Sequence, residues 1–395
     1  MTNLHLCIIT GQPLANLIPL LQERPDEMVL MHTDDKKEDA SAFARTLEKA
    51  GFSQAHIHIR PGLPAHPFDD IRMYVLERLE ELQNQFPDSR LTWNATGGTK
   101  QMALAIWDVL DSKKDRVIYS DTRVGYMEEL TPEVGSIALE SQLTPELYLH
   151  ALGKIKRRAE SDQDAWCERA QSRKEATRHL GNHAEALAGL VQQFNRKLDS
   201  DGGERQSLAL NNIGSQWRQA LQRLEEHGVL SGQGDGRYNL VNADAARYLT
   251  GGWLEEYVWH AAKDQQVDHV QAGLKFGDLA HRKQGQDNEV DAFIVHCNRL
   301  LLIECKSGWM GKDARKDSSI IYQLDSIGQH AGGSQATRVL VSAQPLEHET
   351  KEGRKVNTKA RASATDIHTV EGQELKGLGA AIREWKENGQ WSAKG

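Results

Sequence analysis

The sequence predicts an α/β fold arranged in three segments, and three observations carry that prediction. Residues 1–140 alternate short apolar, β-rich runs with helical patterns. Residues 204–250 read as helix, short strand, Gly-rich turn, strand. Residues 288–306 hold two apolar runs around a four-residue polar turn, His296-Cys297-Asn298-Arg299, the signature of a β-hairpin.

In the first segment the strand runs are Leu4–Thr10, Met28–Thr33, His56–Arg60, Leu91–Asn94 and Arg116–Ser120. Helical patterns fall between them at Leu14–Gln22, Glu38–Ala50, Asp70–Gln83 and Gln101–Leu110. In the third helix Ile71, Val75, Leu79 and Leu82 recur at helical spacing. Strands that alternate with helices build a mostly parallel sheet covered on both faces. Ligands of such sheets sit at the carboxyl ends of the strands.

Residues 141–200 are charged and helical in pattern. They include the basic cluster Lys154, Lys156, Arg157 and Arg158 and a second one, Arg169, Arg173, Lys174 and Arg178. Both read as solvated helix faces. In the middle segment a helix with Trp217, Leu221 and Leu224 ends at His227-Gly228. Val229-Leu230, a turn with Gly232, Gly234 and Gly236, and Tyr238–Val241 follow. This is the pattern of a winged helix, a module that binds DNA or serves as a spacer or dimer element. The last segment opens at Gly251-Gly252 with a helix from Trp253 to about Lys263. A strand-rich stretch to Ser307, a helix around Ile321–Gln329, a strand Arg338–Ser342 and a helix around Leu378–Lys386 complete it. The expected domains are 1–145, 146–250 and 251–395.

Composition narrows the function. The chain has 395 residues, 39% hydrophobic and 26% charged, and a net charge of −8. No apolar run approaches the roughly 18 residues a membrane helix needs, so no membrane partner is expected. The N-terminus lacks a basic stretch ahead of its short apolar run, which argues against a signal peptide. Cys7, Cys167, Cys297 and Cys305 are scattered with no C-x-x-C pair, which fits a reducing cytoplasm and disfavours a disulfide scaffold or a cysteine zinc site. A nucleic-acid surface on so acidic a chain has to be a local basic patch.

The stretch richest in chemistry runs from Asn288 to Lys306. A hairpin symmetric about the Cys297–Asn298 bond sets Asp291 opposite Glu304, with Cβ atoms about 5 Å apart. Side chains alternate along a strand, so Glu304 and Lys306 share a face and Cys305 points away. Two facing carboxylates in an apolar hairpin repel unless positive charge is supplied. Lys306 brings one charge, and Mg²⁺ or Mn²⁺ would bring the rest. Such an ion activates water and polarises a phosphate, while Lys306 orients the nucleophile or stabilises charge at phosphorus.

The spacing Asp291-x(12)-Glu304-x-Lys306 resembles the PD-(D/E)xK core of restriction-endonuclease-like nucleases. The resemblance implies a further acid on the preceding helix. It favours Glu255 over Glu256, which reads as a solvated residue of the first helical turn. It also brings Tyr322 and Gln323, read as the start of the following helix, toward the site. Lys312, Arg315 and Lys316 follow the core, and Lys351, Arg354, Lys355, Lys359 and Arg361 lie in what reads as a long loop. These bases either grip a phosphodiester backbone or are plain surface charge.

A second constellation lies in the first segment. Asn94-Ala95-Thr96-Gly97-Gly98-Thr99-Lys100 follows a strand and opens a helix. Its small residues allow close backbone approach, the helix N-terminus favours phosphate, and Thr96, Thr99 and Lys100 add donors. The spacing is neither that of a P-loop nor that of the dinucleotide fingerprint. Thr10-Gly11-Gln12-Pro13 and His32-Thr33-Asp34 end the first two strands on the same sheet edge.

The strand–T-G-G-T-K–helix element resembles the Rossmann-like CARF domains of CRISPR-associated proteins. With the winged-helix-like middle and the nuclease core, the chain resembles the CARF nucleases of type III CRISPR systems. That resemblance implies a homodimer activated by cyclic oligoadenylate, typically cyclic tetra-adenylate. It implies that Thr10, Gly11, Gln12, Thr96, Gly97, Gly98, Thr99 and Lys100 line the messenger site. It implies that Asp291, Glu304, Lys306 and Glu255 cut single-stranded DNA and RNA, or nick duplex DNA, with Mn²⁺ or Mg²⁺. A cyclic ligand with two-fold symmetry suits an isologous interface. Two other readings stay open from the residues: a ligand-responsive winged-helix DNA-binding regulator, and a repair or restriction nuclease whose first domain only dimerises.

Overall fold

A computed structural model describes residues 2–122, 124–198, 207–280, 287–310, 314–332, 336–349, 353 and 355–392. The three expected segments gather into two compact units. One holds residues 1–155 with 278–282 and 297–299, and the other 156–277, 283–296 and 300–395.

The first unit runs β1 (Thr2–Ile8), α1 (Leu14–Glu23), β2 (Glu27–Met31), α2 (Lys37–Lys49), β3 (Ile57–Arg60), α3 (Phe68–Gln85), β4 (Ser89–Asn94), α4 (Lys100–Val109), β5 (Arg116–Asp121), β6 (Tyr126–Thr131), β7 (Gly135–Ala138) and α5 (Pro145–Ala151). Its sheet order is β3-β2-β1-β4-β5-β6-β7. The strands from β3 to β5 are parallel, and β6 and β7 are antiparallel. The chain therefore reverses its winding between β1 and β4, the position at which doubly wound sheets open a crevice. One face buries Leu4, Leu6, Ile8, Val29, Met31, Trp93 and Val117 under Ile71, Val75, Met102, Ala105 and Ile106 of α3 and α4. The alternation read from the sequence is reproduced within a few residues. The β6–β7 extension was not anticipated, because β7 is exposed along its whole length and has no apolar alternation to betray it.

A partly buried charge cluster ties β1, α1, β5 and β6 together. Arg116 donates from Nε to Glu129 at 2.7 Å and from Nη1 to Glu23 at 2.8 Å, and His5 Nε2 meets Glu23 at 2.8 Å. Burial opposes the Glu23 charge, but these partners outweigh it and hold the carboxyl down at about 2. Unfolded glutamate titrates near 4.5, so this contribution to stability is complete above that pH and is lost as pH falls toward 2.

The second unit begins with β8 (Lys154–Arg158), α6 (Asp164–Ser172), α7 (Lys174–Asn182), α8 (Ala184–Leu198), β9 (Ser207–Ala209), α9 (Ser215–Glu226), β10 (Leu230–Gly234), β11 (Arg237–Leu240) and α10 (Ala243–Arg247). It continues with α11 (Trp253–Asp264), β12 (His269–Asp278), β13 (Asn288–His296), β14 (Arg299–Lys306), α12 (Ala314–Gly332), β15 (Thr337–Ser342), β16 (Glu347–Glu349), β17 (Lys355–Asn357), α13 (Thr358–Ala364), β18 (His368–Glu371) and α14 (Leu378–Asn388). Strands β10, β11 and β9 form a small antiparallel sheet beside α8 and α9, the winged-helix arrangement read from the sequence. The large sheet has the order β18-β15-β14-β13-β12-β8. One core joins the two parts: Leu187, Leu190 and Phe194 of α8, Trp253 of α11, Ile303 of β14 and Trp385 of α14 belong to the same buried cluster.

Four local expectations are corrected. Lys154, Lys156, Arg157 and Arg158 lie on an edge strand, not a helix face. There Lys156 Nζ reaches Asp162 and Gln271, each at 2.8 Å. Arg173 is buried rather than solvated. Tyr322 and Gln323 lie inside α12 rather than at its start, and Tyr322 is 66% exposed. Lys355 lies on β17 and Lys359 and Arg361 on α13, not in a loop. Lys312, Lys351 and Arg354 lie outside the described residues. No helix among the described residues is long and apolar enough to cross a membrane.

Candidate functional site

Cys297 and Asn298 have φ of 46° and 64°, both left-handed, and form a two-residue turn between β13 and β14. With His296 and Arg299 flanking the turn, the antiparallel register sets Asp291 across from Glu304 as expected. Asp291 Oδ2 accepts the Cys305 backbone N–H at 2.6 Å. Lys306 Nζ donates to Glu304 Oε1 at 2.5 Å. Leu300, Leu301, Leu302 and Ile303 are fully buried, so the polar pair stands at the end of a dry strand.

The electrostatics follow from that placement. Burial raises the Asp291 carboxyl well above the usual range, and the charges of Glu304 and Glu255 raise it further. Burial disfavours the Lys306 charge, but Glu304 and Asp291 outweigh it and keep the ammonium protonated. A permanently charged Lys306 is a donor and electrostatic stabiliser rather than a base at neutral pH.

Glu255 and Glu256 part ways because neighbours on a helix point about 100° apart. Glu255 faces the site: burial pushes its carboxyl up to about 7, with the Glu160 charge adding to it and Arg247 and Lys306 opposing. Glu256 is not a solvated residue of the first turn, as the sequence suggested. It is 1% exposed and clamped by Arg173, whose Nε lies 3.0 Å from both carboxylate oxygens. Arg173 also donates to Asp244 at 2.7 Å and stacks on Tyr248 at 4.1 Å. Glu256 thus anchors α11, and Glu255 is carried into the site by that anchor.

Two neighbours escaped the sequence reading. Glu160 ion-pairs with Arg247, and both act electrostatically on Glu255. A Cβ at Gly273 of β12 would fall 2.5 Å from Glu160 Cγ, so only glycine lets Glu160 cross the strand there. Glu160 is 95 residues from Glu255 in sequence, and no local pattern signals the approach.

The donor set suits a hard divalent cation: carboxylate oxygens mutually repelled in a partly buried site. Asp291 and Glu304 supply the hard oxygen donors such an ion takes; here Asp291 Oδ2 accepts the Cys305 N–H and Glu304 Oε1 accepts from Lys306. Oxygens of Asp291, Glu304 and Glu255 do not all converge within 4.8 Å, since the one such three-residue group among the described residues is Asp268, His296 and Cys297.

The loops of the first unit converge at the β1/β4 crevice. Asn16 Nδ2 donates to Ile8 O at 2.8 Å, and Asn94 Nδ2 donates to Asn16 Oδ1 at 3.0 Å. Thr96 donates from its N–H and its hydroxyl to Asn94 Oδ1, at 3.1 and 2.6 Å, and accepts the Ser120 N–H at 2.8 Å. The Thr96 hydroxyl therefore shapes the loop. Thr99 caps α4 by accepting the Met102 N–H at 3.2 Å. A Cβ at Gly97 would lie 2.8 Å from Ile8 O and 3.7 Å from Thr10 Cγ2, so the two loops meet. Gly11, Gln12, Gly98, Thr99 and Lys100 are exposed around them.

Gly98 sits at φ +94°, and an added Cβ would meet Ile8 Cδ1 at 2.8 Å. Gly98→Ala is expected to destabilise the first unit by about 1–3 kcal/mol in thermal or urea unfolding. Gly11 has no atom within 4 Å of an added Cβ, so Gly11→Ala should leave unfolding unchanged.

A ligand-crevice α/β domain on a chain that also carries a carboxylate–lysine hairpin site defines the class: a sensor-type domain joined to a nuclease-type domain. The chain belongs to the CARF-domain nucleases: residues 4–148 match the Card1 CARF domain and residues 242–388 the Card1-like endonuclease domain. No curated protein matches. Among solved structures, protein VC1899 from Vibrio cholerae is similar at 20% identity and a TM-score of 0.82, over 99% of each chain. Can2 from Sulfobacillus thermosulfidooxidans, solved in complex with cyclic tetra-adenylate, is similar at 20% identity and a TM-score of 0.73, over 97% of this chain and 99% of that one. A type III CRISPR defence DNA nuclease activated by cyclic oligoadenylate is similar at 16% identity and a TM-score of 0.51, over 87% of this chain and 45% of that one. These likenesses carry the fold.

Proposed function

We propose that the protein is a cytoplasmic, homodimeric endonuclease of type III CRISPR defence, switched on by cyclic tetra-adenylate and dependent on Mn²⁺ or Mg²⁺. The observation that carries this reading is the partly buried hairpin pair, Asp291 opposite Glu304 with Lys306 on Glu304. A DNA-binding regulator has no use for so costly a carboxylate pair.

When bound, the ion supplies a water of lowered pKa and a Lewis acid for the phosphate. Asp291 and Glu304 are the residues that would hold it, with Glu255 as the third acid beside them. Lys306 leaves Glu304 for the developing charge at phosphorus and stabilises it. The substrate is single-stranded DNA and RNA, with nicking of duplex DNA as the related activity.

The messenger binds over Thr10, Gly11, Gln12 and the loop Thr96–Lys100. Phosphates meet the α4 N-terminus and Lys100. Lys100, Leu104 and Trp107 lie on one stripe of α4. Leu104 and Trp107 are 62% and 46% exposed, and Met73 of the neighbouring α3 is 52% exposed. A second copy covers this stripe about a two-fold axis, which brings both Lys100 residues to one ligand. Trp107→Glu should turn the dimer into a monomer in sedimentation and remove messenger binding.

The direct test is cleavage of labelled single-stranded DNA and RNA with Mn²⁺, with and without cyclic tetra-adenylate. Cleavage that requires both is the expected result. Cleavage independent of the messenger would remove the switch, and specific duplex binding without cleavage would replace the reading with a regulator. Lys100→Ala should weaken messenger binding about tenfold or more at unchanged stability, the loss expected for one charge-assisted contact.

A further inference from the structure

We propose that Ser307 is a positioning residue that sets the separation between Glu255 and the Glu304–Lys306 pair. This rests on reading the hairpin as the nuclease site. Ser307 directly follows Lys306 and is 7% exposed. Its hydroxyl donates to the Thr250 carbonyl at 2.6 Å. Thr250 lies in the π-turn Tyr248–Gly252 that leads straight into α11, five residues ahead of Glu255. Gly251 leaves helical geometry there (φ 176°, ψ −40°), so the helical ladder is interrupted beside that carbonyl. A Cβ at Gly251 would stand 3.7 Å from Ser307 Oγ, so turn and strand end are in contact. One hydroxyl therefore ties the end of β14, which carries Glu304 and Lys306, to the start of the helix that carries Glu255.

The junction is fixed from two further sides. Along β15, Lys306 pairs in register with Ser342, and the Ala343 N–H donates to Lys306 O at 2.9 Å. Gln344, fully buried, donates from Nε2 to Ala188 O of α8 at 3.1 Å and to Ser307 O at 3.5 Å. Asn195, also on α8, donates to Ser307 Oγ at 3.4 Å. Ser342 Oγ donates to Gln344 O at 2.7 Å and accepts the Gln344 N–H at 3.2 Å, holding that side chain's root. A polar network this enclosed specifies one arrangement of the groups it joins. Outer-shell groups of this kind change metal affinity because ligand separation is tight-tolerance geometry.

The test uses the full chain. Mn²⁺ binding is measured by calorimetry without nucleic acid, and cleavage and thermal unfolding are measured alongside it. Ser307→Ala is expected to weaken Mn²⁺ binding about tenfold, the lower end for an outer-shell partner, and to lower the cleavage rate in step. Ser307→Thr, which keeps the hydroxyl, should retain both, and Ser307→Val, its isostere without the hydroxyl, should lose both. That Thr/Val pair decides the matter if the alanine variant does not fold. Unchanged Mn²⁺ binding in a folded Ser307→Ala or Ser307→Val protein overturns the proposal, as does a lowered melting temperature with Mn²⁺ affinity intact. A wild-type protein that neither binds Mn²⁺ nor cuts overturns the nuclease reading and this inference together. A wild-type protein that does both, beside an unaffected variant, overturns this inference alone.

Discussion

Glu304→Gln should lower the cleavage rate by about a thousandfold or more, the scale at which a preorganised charge-stabilising group is lost. The substitution keeps the shape of the side chain and removes its charge. In the metal-free protein it removes both the charge that raises the Asp291 carboxyl and the ion pair with Lys306, opposing effects that should leave the unfolding temperature close to that of wild type. Lys306→Ala should cost a comparable factor for a different reason: it removes the cation that Glu304 and Asp291 keep protonated. Equal cleavage by wild type and either variant would end the assignment. The same carboxylates set a pH profile. Glu255 titrates at about 7 in place of 4.5, so the folded, metal-free protein binds protons more tightly than the unfolded chain. Its stability from this site is greatest below pH 4.5 and falls as pH rises through 7. A divalent ion needs the deprotonated carboxylates, so metal-dependent cleavage and metal-induced stabilisation should both rise from pH 6 to pH 8. A flat profile would show that Glu255 is not coupled to the site.

Arg173→Met should destabilise the second unit by about 3–5 kcal/mol, because it strands a buried carboxylate. Glu256 is 1% exposed, and Arg173 is its ionic partner at 3.0 Å, with Thr177 Oγ1 a weaker donor at 3.4 Å. The double variant Arg173→Met with Glu256→Gln should recover most of that loss, since the unpaired charge is gone. Urea unfolding of the two variants checks this. If the single and double variants unfold alike, the cost lies in the lost packing of Arg173 on Tyr248, 4.1 Å away, rather than in the charge. Because the anchored helix also carries Glu255, the folded fraction of Arg173→Met should cleave more slowly as well.

Much of this was legible in the chain. The short apolar runs and the period-3.6 patterns of residues 1–120 became β1 to β5 and α1 to α4 nearly as read, because a strand buried on both faces is a continuous apolar run and a helix buried on one face repeats at 3.6. The Asp291–Glu304 pairing was legible because a hairpin centred on Cys297–Asn298 fixes register, and register fixes which side chains meet; the turn itself is two residues, not the four read from the sequence, since His296 and Arg299 join the strands. The loop at Thr96–Lys100 was legible because close backbone approach demands glycine.

Other features left no local trace. Lys154–Arg158 carries no apolar alternation, yet it forms an edge strand because a partner strand supplies its hydrogen bonds. Glu255 and Glu256 are adjacent and chemically identical. The family resemblance favoured Glu255, and the burial and pairing of Glu256 depend on an arginine 83 residues away. Glu160, Arg247 and Ser307 likewise acquire their roles from neighbours distant in the chain. The sequence by itself determined the α/β class, the strand–turn–strand carrying Asp291, Glu304 and Lys306, and the Gly-rich loop at Thr96–Lys100, since each is encoded in a local period or a backbone requirement. Tertiary structure alone decided which charges are buried, which are paired and which are left facing the site, because burial and pairing are properties of contacts between segments rather than of any one of them.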